Sequence, residues 1–408
     1  MNKNRFVCNW ALSPGHLNGR MSFIAGPRQA GKTTLIENFL RQKSIQGHYY
    51  NWDSPLVKKR YAKDPSFFTE DLSLKEREWV ALDEIHKYPK WKNILKGYYD
   101  EWKNQVQFVI TGSARLDLFR KSGDSLVGRY FLFRLFPLGP REVLGQTLTI
   151  ENEWQPLEKD LLPRFENHGG IYEAVQQLLA CSGFPEPFFK GQSKFYNLWK
   201  ENHLSMILQE DLRDLSKITS IQKVEQLLYL LEERVSSPLS LNSIRQLLEC
   251  AHDTLNHWLL ALEKVYLTFS IPPWSERLSR SILKEKKVYF WDWSFNENVG
   301  SKFENFIAVS LMRTISAWNE QGLGPYFLYY VRTKDGHEVD FAIADRKKIH
   351  LLIEAKNSDT ALDTNLLYLQ EKLKVETAIQ VVNQKEVFQH KKPGVFIIGV
   401  DRLMGLLL

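Results

Sequence analysis

The sequence predicts an α/β protein: a parallel sheet of about five strands between helices, then a helical middle, then a second α/β region. Three observations predict it. Apolar runs near residues 21–25, 48–52, 79–83, 106–111 and 131–135 alternate with helical patterns, the order of a doubly wound sheet. The first run passes through a glycine-containing loop straight into a helix-like segment. From residue 300 an amphipathic helix is followed by strand-like runs at 326–331, 337–343 and 349–356.

The first strand, Met21–Ala25, leads into Gly26-Pro27-Arg28-Gln29-Ala30-Gly31-Lys32-Thr33, with Thr34 next, which fits G-x-x-x-x-G-K-[ST]. Glycines let successive backbone N–H groups curl around phosphate oxygens, and the following helix adds its positive end. Lys32 then reaches the β/γ-phosphates and Thr33 holds Mg²⁺, so ATP and Mg²⁺ are the expected ligands. The third strand, Trp79–Asp83, ends in Asp83-Glu84. Asp83 suits the Mg²⁺ shell and Glu84 the polarisation of an attacking water; alone, the pair reads equally well as a solvated strand end. The fourth, Val106–Thr111, stops at Thr111-Gly112-Ser113, either a hydroxyl-bearing turn or a group touching the γ-phosphate. Arg129, before the fifth run, is a candidate finger on a neighbouring subunit's nucleotide, against the commoner surface ion pair.

GPRQAGKTT, ALDEIHKYPKW, ITGSARLDLF, LVGR with FPLGPREV, and SGFPEPF together resemble the bacterial AAA-type ATPases that carry a C-terminal domain of unknown function. The likeness spans nearly the whole chain. It implies an ATPase core with a P-loop NTPase fold, a helical and winged-helix middle, and a nuclease-like end. It also implies that Thr111 or Ser113 is the sensor residue. The expected boundaries are 1–150 for the core, 151–235 for a helical lid, 236–290 for the winged-helix-like part and 291–408 for the last domain.

Composition fits a folded, reducing-compartment protein. The 408 residues suffice for two or three cores, and no uninterrupted apolar stretch reaches membrane-span length. The N-terminus lacks a signal-peptide pattern, so a cytoplasmic location without membrane partners is expected. Cys8, Cys181 and Cys250 have neither disulfide-framework nor metal-ligand spacing. The net charge of +6 permits a nucleic-acid partner without requiring one.

In the middle, residues 170–234 read as helices. A helix-turn-helix is expected from Leu241–Glu249, a Cys250–His252 turn, Asp253 as N-cap and Thr254–Lys264, with Leu267–Ile271 as a wing. Its second helix offers Asn256, His257 and Glu263 with only Lys264, which favours a protein contact over DNA.

At the C-terminal end, Lys334-Asp335-Gly336 is hairpin chemistry. Strand alternation puts Glu338 and Asp340 on one face, and Glu354 and Lys356 on one face. Asp340 followed by Glu354-Ala355-Lys356 resembles the PD-(D/E)xK nuclease signature of a restriction-endonuclease-like domain, with Glu304 matching its helix acid. Val339 stands where that motif has Pro. The resemblance implies a second Mg²⁺ or Mn²⁺ site at Glu304, Asp340 and Glu354, with Lys356 steadying developing charge; the competing reading is a charged sheet edge. Gln380 either faces that site or is a core amide, and Trp291, Trp293 and Trp318 either stack bases or fill cores. The function expected is ATP hydrolysis that drives or gates a nuclease-like, DNA-interacting module, in a possible homo-oligomer. The alternatives are an ATP-dependent switch or scaffold with a non-cleaving docking domain, and a small-molecule kinase.

Overall fold

All five apolar runs of the N-terminal part become strands of one parallel sheet. The protein is represented by a computed structural model that describes residues 5–45, 48–73, 75–112, 126–146, 169–213, 218, 220–275 and 285–408. It divides into two units, Met1–Phe136 and Pro137–Leu408.

In the first unit, β1 (Met21–Ala25), β2 (Tyr49–Asn51), β3 (Glu78–Asp83), β4 (Val106–Thr111) and β5 (Tyr130–Arg134) lie in the order β2-β3-β4-β1-β5. Every pairing is parallel. β1 and β4 are buried along their whole length, which is why they read as continuous apolar runs instead of alternating ones. Phe23, Leu82, Phe108 and Ile110 join Trp91 and Leu95 of the helix Trp91–Trp102 in the core, and the Phe23 and Tyr130 rings stack with centroids 4.4 Å apart. The helix Lys32–Gln42 turns Leu35, Ile36 and Leu40 inward. The register sets Ile24 and Asp83 beside Thr111, so three strands end together where the Gly26 loop begins.

In the second unit, Ile171–Cys181, Pro185–Lys190, Ser193–Met206 and Ile221–Glu232 are the expected helices. A single π-helical turn, Ile207–Asp211, extends the third. The helix pair comes next as Leu241–Leu247 and His252–Lys264. The N-cap is Ala251, not Asp253, because the chain is already helical at His252 and Asp253 lies in the first turn. β6 (Thr268–Ile271) then pairs antiparallel with β7 (Lys287–Phe290). The long helix Val299–Glu320 starts at Asn298, whose side chain accepts from the Ser301 N–H.

Behind it lies a mixed sheet in the order β12-β13-β11-β10-β9-β8, made of β8 (Phe327–Arg332), β9 (Glu338–Ala344), β10 (Ile349–Lys356), β11 (Thr377–Val382), β12 (Phe388–Lys392) and β13 (Val395–Gly399). β8, β9 and β10 form an antiparallel meander whose first turn closes with Thr333 N–H donating to His337 O at 2.9 Å. β10, β11 and β13 are parallel, and the crossover helix Thr364–Leu373 is capped by Asp363. β12 and β13 are not among the strands read from the sequence.

The core boundary expected at residue 150 lies outside the described residues; the division falls at Phe136/Pro137. The segment just past Phe136 is tied to helices of the second unit. The Leu138 N–H donates to Gly183 O at 2.7 Å, Glu142 lies 3.4 Å from the Arg313 guanidinium, and a Cβ on Gly139 would sit 1.7 Å from Arg313 Nη1. Across residue 290, the Tyr289 hydroxyl on β7 donates to Glu304 on the long helix. Among the described residues, no helix is long and apolar enough to cross a membrane.

Candidate functional site

The loop after β1 is held in a shape that side chains other than hydrogen resist. Gly26 has φ +144° and Gly31 φ +97°, and Gln29 is also left-handed at φ +61°. A Cβ at Gly26 would lie 2.1 Å from the Leu135 carbonyl oxygen. Arg5, buried beneath, donates to Ala30 O at 3.0 Å and to Phe136 O, clamping the loop to the end of β5. Gly31 is the N-cap of the helix that begins at Lys32, so the first N–H groups of that helix lack intrahelical acceptors and form an anion-facing end. The Lys32 ammonium donates to Gly26 O at 3.0 Å and Pro27 O at 2.7 Å. Arg28 and Gln29 lie half-buried in the loop, and Thr33 and Thr34 are exposed on the first turn.

Asp83, 2% exposed, gathers three side-chain hydroxyls. Its Oδ2 accepts from Thr33 Oγ1 at 2.9 Å and from the Tyr49 hydroxyl at 2.5 Å, while Oδ1 accepts from Thr111 Oγ1. Thr33 and Asp83 therefore present hard oxygen donors to one another, the donor set Mg²⁺ takes, and the residues fit the ion. Burial, then the hydrogen bond to Asp83, raises the Tyr49 phenol far above its ordinary range, so it remains a donor. Tyr49 carries no sequence signal; it reaches Asp83 because β2 pairs with β3 and Tyr49 stands opposite Ala81, on the face Asp83 shares.

Glu84 adopts a left-handed backbone, φ +58°, uncommon for a non-glycine residue and concentrated at functional sites. Its N–H donates to Thr111 O at 3.0 Å. The carboxylate lies 3.3 Å from Lys87 Nζ and 3.6 Å from His86 Nε2. Burial raises its pKa, opposed by the nearby charges of Lys87 and Lys32. A desolvated carboxylate beside the loop suits a group that polarises water. Arg129 is elsewhere: it precedes β5 at the opposite end of the strands, bidentate to Asp100 at 2.8 and 3.0 Å. Ser113 lies outside the described residues.

In the second unit, strand pairing does bring the predicted acids together. The Asp340 N–H donates to Glu354 Oε2 at 3.2 Å, and the Ala355 N–H to Asp340 Oδ2 at 3.1 Å. The Lys356 ammonium donates to Glu354 Oε1 at 2.7 Å and pairs with Asp363 at 2.9 Å. Glu304 Oε1 accepts from the Tyr289 hydroxyl at 2.7 Å. Burial and the Asp340 charge push Glu304 up to about 7 and Glu354 up to about 8.

Among them stands a residue the sequence reading missed. Lys287, 1% exposed, lies 2.8 Å from Glu338, 3.0 Å from Asp340 and 3.5 Å from Glu304. Burial works against its charge, but those three carboxylates outweigh it and raise its pKa. Among the described residues, no group of three or more His, Cys, Asp or Glu side chains is arranged to hold a metal ion. A second Mg²⁺ or Mn²⁺ does not fit this cluster as built. Gln380 is a buried core amide, accepting from Asp363 N–H and donating to Asp359 O and Ala361 O. Trp291, Trp293 and Trp318 are buried, with Trp293 Nε1 donating to Leu178 O.

Residues 18–144 match the family model described as an AAA domain. Residues 172–301 and 299–403 match two models each described as a domain of unknown function, DUF8612 and DUF4143. The chain is 24% identical over 335 residues to uncharacterized protein Rv2008c of Mycobacterium tuberculosis, covering 78% of this chain and 66% of that one. It is 28% identical over 287 residues to uncharacterized protein MJ1637 of Methanocaldococcus jannaschii, covering 65% and 59%. The chain thus spans about two thirds or less of the length of these relatives. A solved structure, C. elegans PCH-2, aligns at 16% identity over 48% of this chain and 66% of that chain, with a TM-score of 0.25. The AAA-domain match falls on the five-stranded parallel sheet and its loop.

Proposed function

We propose that the protein binds and hydrolyses MgATP at the Gly26–Thr33 loop and uses the cycle to change how its second unit engages a macromolecular partner. The observation that carries this reading is Asp83 joined by hydroxyls to Thr33 on the loop helix and Thr111 on the neighbouring strand. On binding, Lys32 would exchange its two loop carbonyls for β/γ-phosphate oxygens, Thr33 and Asp83 would hold Mg²⁺, and Glu84 would orient and polarise the attacking water. Bound Mg²⁺ would neutralise phosphate charge as the terminal group departs. Thr111 fixes the Asp83 carboxylate in place. Arg129, paired with Asp100 at the opposite end of the strands, is given no part in this chain's own nucleotide site.

For the partner, we read the helix pair and hairpin β6–β7 as a winged-helix-like module, and Asn256, His257 and Glu263 with a lone Lys264 favour a protein surface over DNA phosphates. A second reading, an ATP-gated nuclease acting on DNA, rests on the convergence of Glu304, Asp340, Glu354 and Lys356. Incubating supercoiled and linear DNA with Mg²⁺ or Mn²⁺, with and without ATP, separates the two, using Asp340→Ala as control.

The test of the ATPase is a pair of variants. Lys32→Ala should abolish nucleotide binding. Glu84→Gln should bind MgATP as the parent does and hydrolyse it about 10²–10⁴-fold more slowly, the range a positioned base contributes. Hydrolysis by Glu84→Gln at the parent rate removes the water-polarising role, and a folded parent that gives no calorimetric signal with millimolar MgATP removes the whole proposal.

A further inference from the structure

The acid cluster of the second unit already contains a cation, and it is covalently part of the chain. An ammonium has three N–H donors. Around Lys287 stand three carboxylates, Glu338, Asp340 and Glu304, at 2.8, 3.0 and 3.5 Å. The Tyr330 ring adds its face, 5.5 Å from Nζ to centroid. Three further oxygens are engaged too: Asp340 Oδ2 by the Ala355 N–H, Glu354 Oε2 by the Asp340 N–H, and Glu354 Oε1 by Lys356.

A divalent ion bound by Glu304 and Asp340 would need the oxygens that now hold Lys287, at about 2.0–2.6 Å. It would also set a double charge against a buried ammonium with nowhere to go. Stripping a buried charge of its partners is strongly unfavourable, so the arrangement resists exchange. Lys287 also belongs to a different part of the chain from the acids. It lies on β7, within the residues 172–301 match, while Glu304, Glu338, Asp340 and Glu354 lie within the 299–403 match. The contact therefore ties hairpin β6–β7 to the long helix and to β9.

We infer that Lys287 is the resident cation of this cluster, taking the place a divalent metal holds in a carboxylate nuclease site, so that the cluster binds no metal, cleaves no phosphodiester and instead locks the hairpin to the C-terminal sheet. This does not rest on the ATPase proposal and survives or fails separately from it.

The test is Mn²⁺ binding to the full chain without nucleotide, followed by electron paramagnetic resonance. Asp340→Asn should hold the same number of Mn²⁺ ions as the parent. Lys287→Met should gain one Mn²⁺ per chain, and Lys287→Met combined with Asp340→Asn should lose it again. Any ion at the phosphate loop is common to all arms and cancels. A parent that binds an ion released by Asp340→Asn overturns the inference, as does a folded Lys287→Met that gains none. Where Lys287→Met does not fold, the parent and Asp340→Asn pair decides alone.

Discussion

Replacing Gly26 by alanine tests whether the loop geometry, and not its composition alone, makes the nucleotide site. The added Cβ would lie 2.1 Å from Leu135 O and 3.1 Å from Leu135 C. Carbon and carbonyl oxygen ordinarily approach no closer than about 3.3 Å, so something must move by about 1 Å. Leu135 is poorly placed to yield, because its N–H donates to Ala25 O at 2.9 Å at the end of the β1–β5 pairing. The φ of +144° adds strain of about 1–3 kcal/mol for a residue with a side chain. Overpacking against a fixed backbone adds about 1–3 kcal/mol. If even 2 kcal/mol of this is relieved by displacing the loop, affinity for MgATP falls about thirtyfold. The assay is titration with a fluorescent ATP analogue beside thermal unfolding. Gly97→Ala is the control, since that helical glycine has nothing within 4 Å of its would-be Cβ and should be neutral or stabilising by up to about 1 kcal/mol. Gly26→Ala binding within twofold of the parent, and melting with Gly97→Ala, would refute the reasoning.

Two further outcomes are expected. Tyr49→Phe removes one of the three hydroxyls on Asp83 and should lower stability by about 1–2 kcal/mol without nucleotide, and by less with saturating MgATP, because the metal then supplies Asp83 with a partner; equal losses in both conditions contradict the placement of the ion. Asp292 is buried and its pKa is pushed up from 3.8 to about 6, chiefly by desolvation, so its contribution is fully present below the unfolded value and lost as pH rises through about 6. Between pH 4 and 7 the parent should lose about 2 kcal/mol more in urea unfolding than Asp292→Asn, which keeps an acceptor for the Ser294 N–H; parallel pH profiles would show that the carboxyl titrates normally.

What could be read from the chain depended on how local its determinants are. The five strands and the loop are continuous segments whose burial pattern and glycine placement are written within about a dozen residues, so they were legible to within a residue or two. The gathering of Asp340, Glu354 and Lys356 was also legible, because alternation fixes which side chains share a face. Lys287 was not. It is 17 residues from Glu304 and 53 from Asp340, so no local pattern joins it to them. Tyr49 was hidden for the same reason, since its partner is 34 residues away. The packing of Gly139, whose missing side chain admits Arg313, was not legible either. Nothing near Gly139 announces a guanidinium from so far along the chain.

The two carbonyls that grip Lys32 also make the loop a filter. Any incoming anion must outbid two main-chain dipoles for one ammonium, so a lone phosphate recovers little more than it displaces. A polyphosphate, with several charges spread along the helix end, wins that exchange comfortably. Selectivity for long phosphate chains would then be partly a property of the contacts the lysine must first surrender.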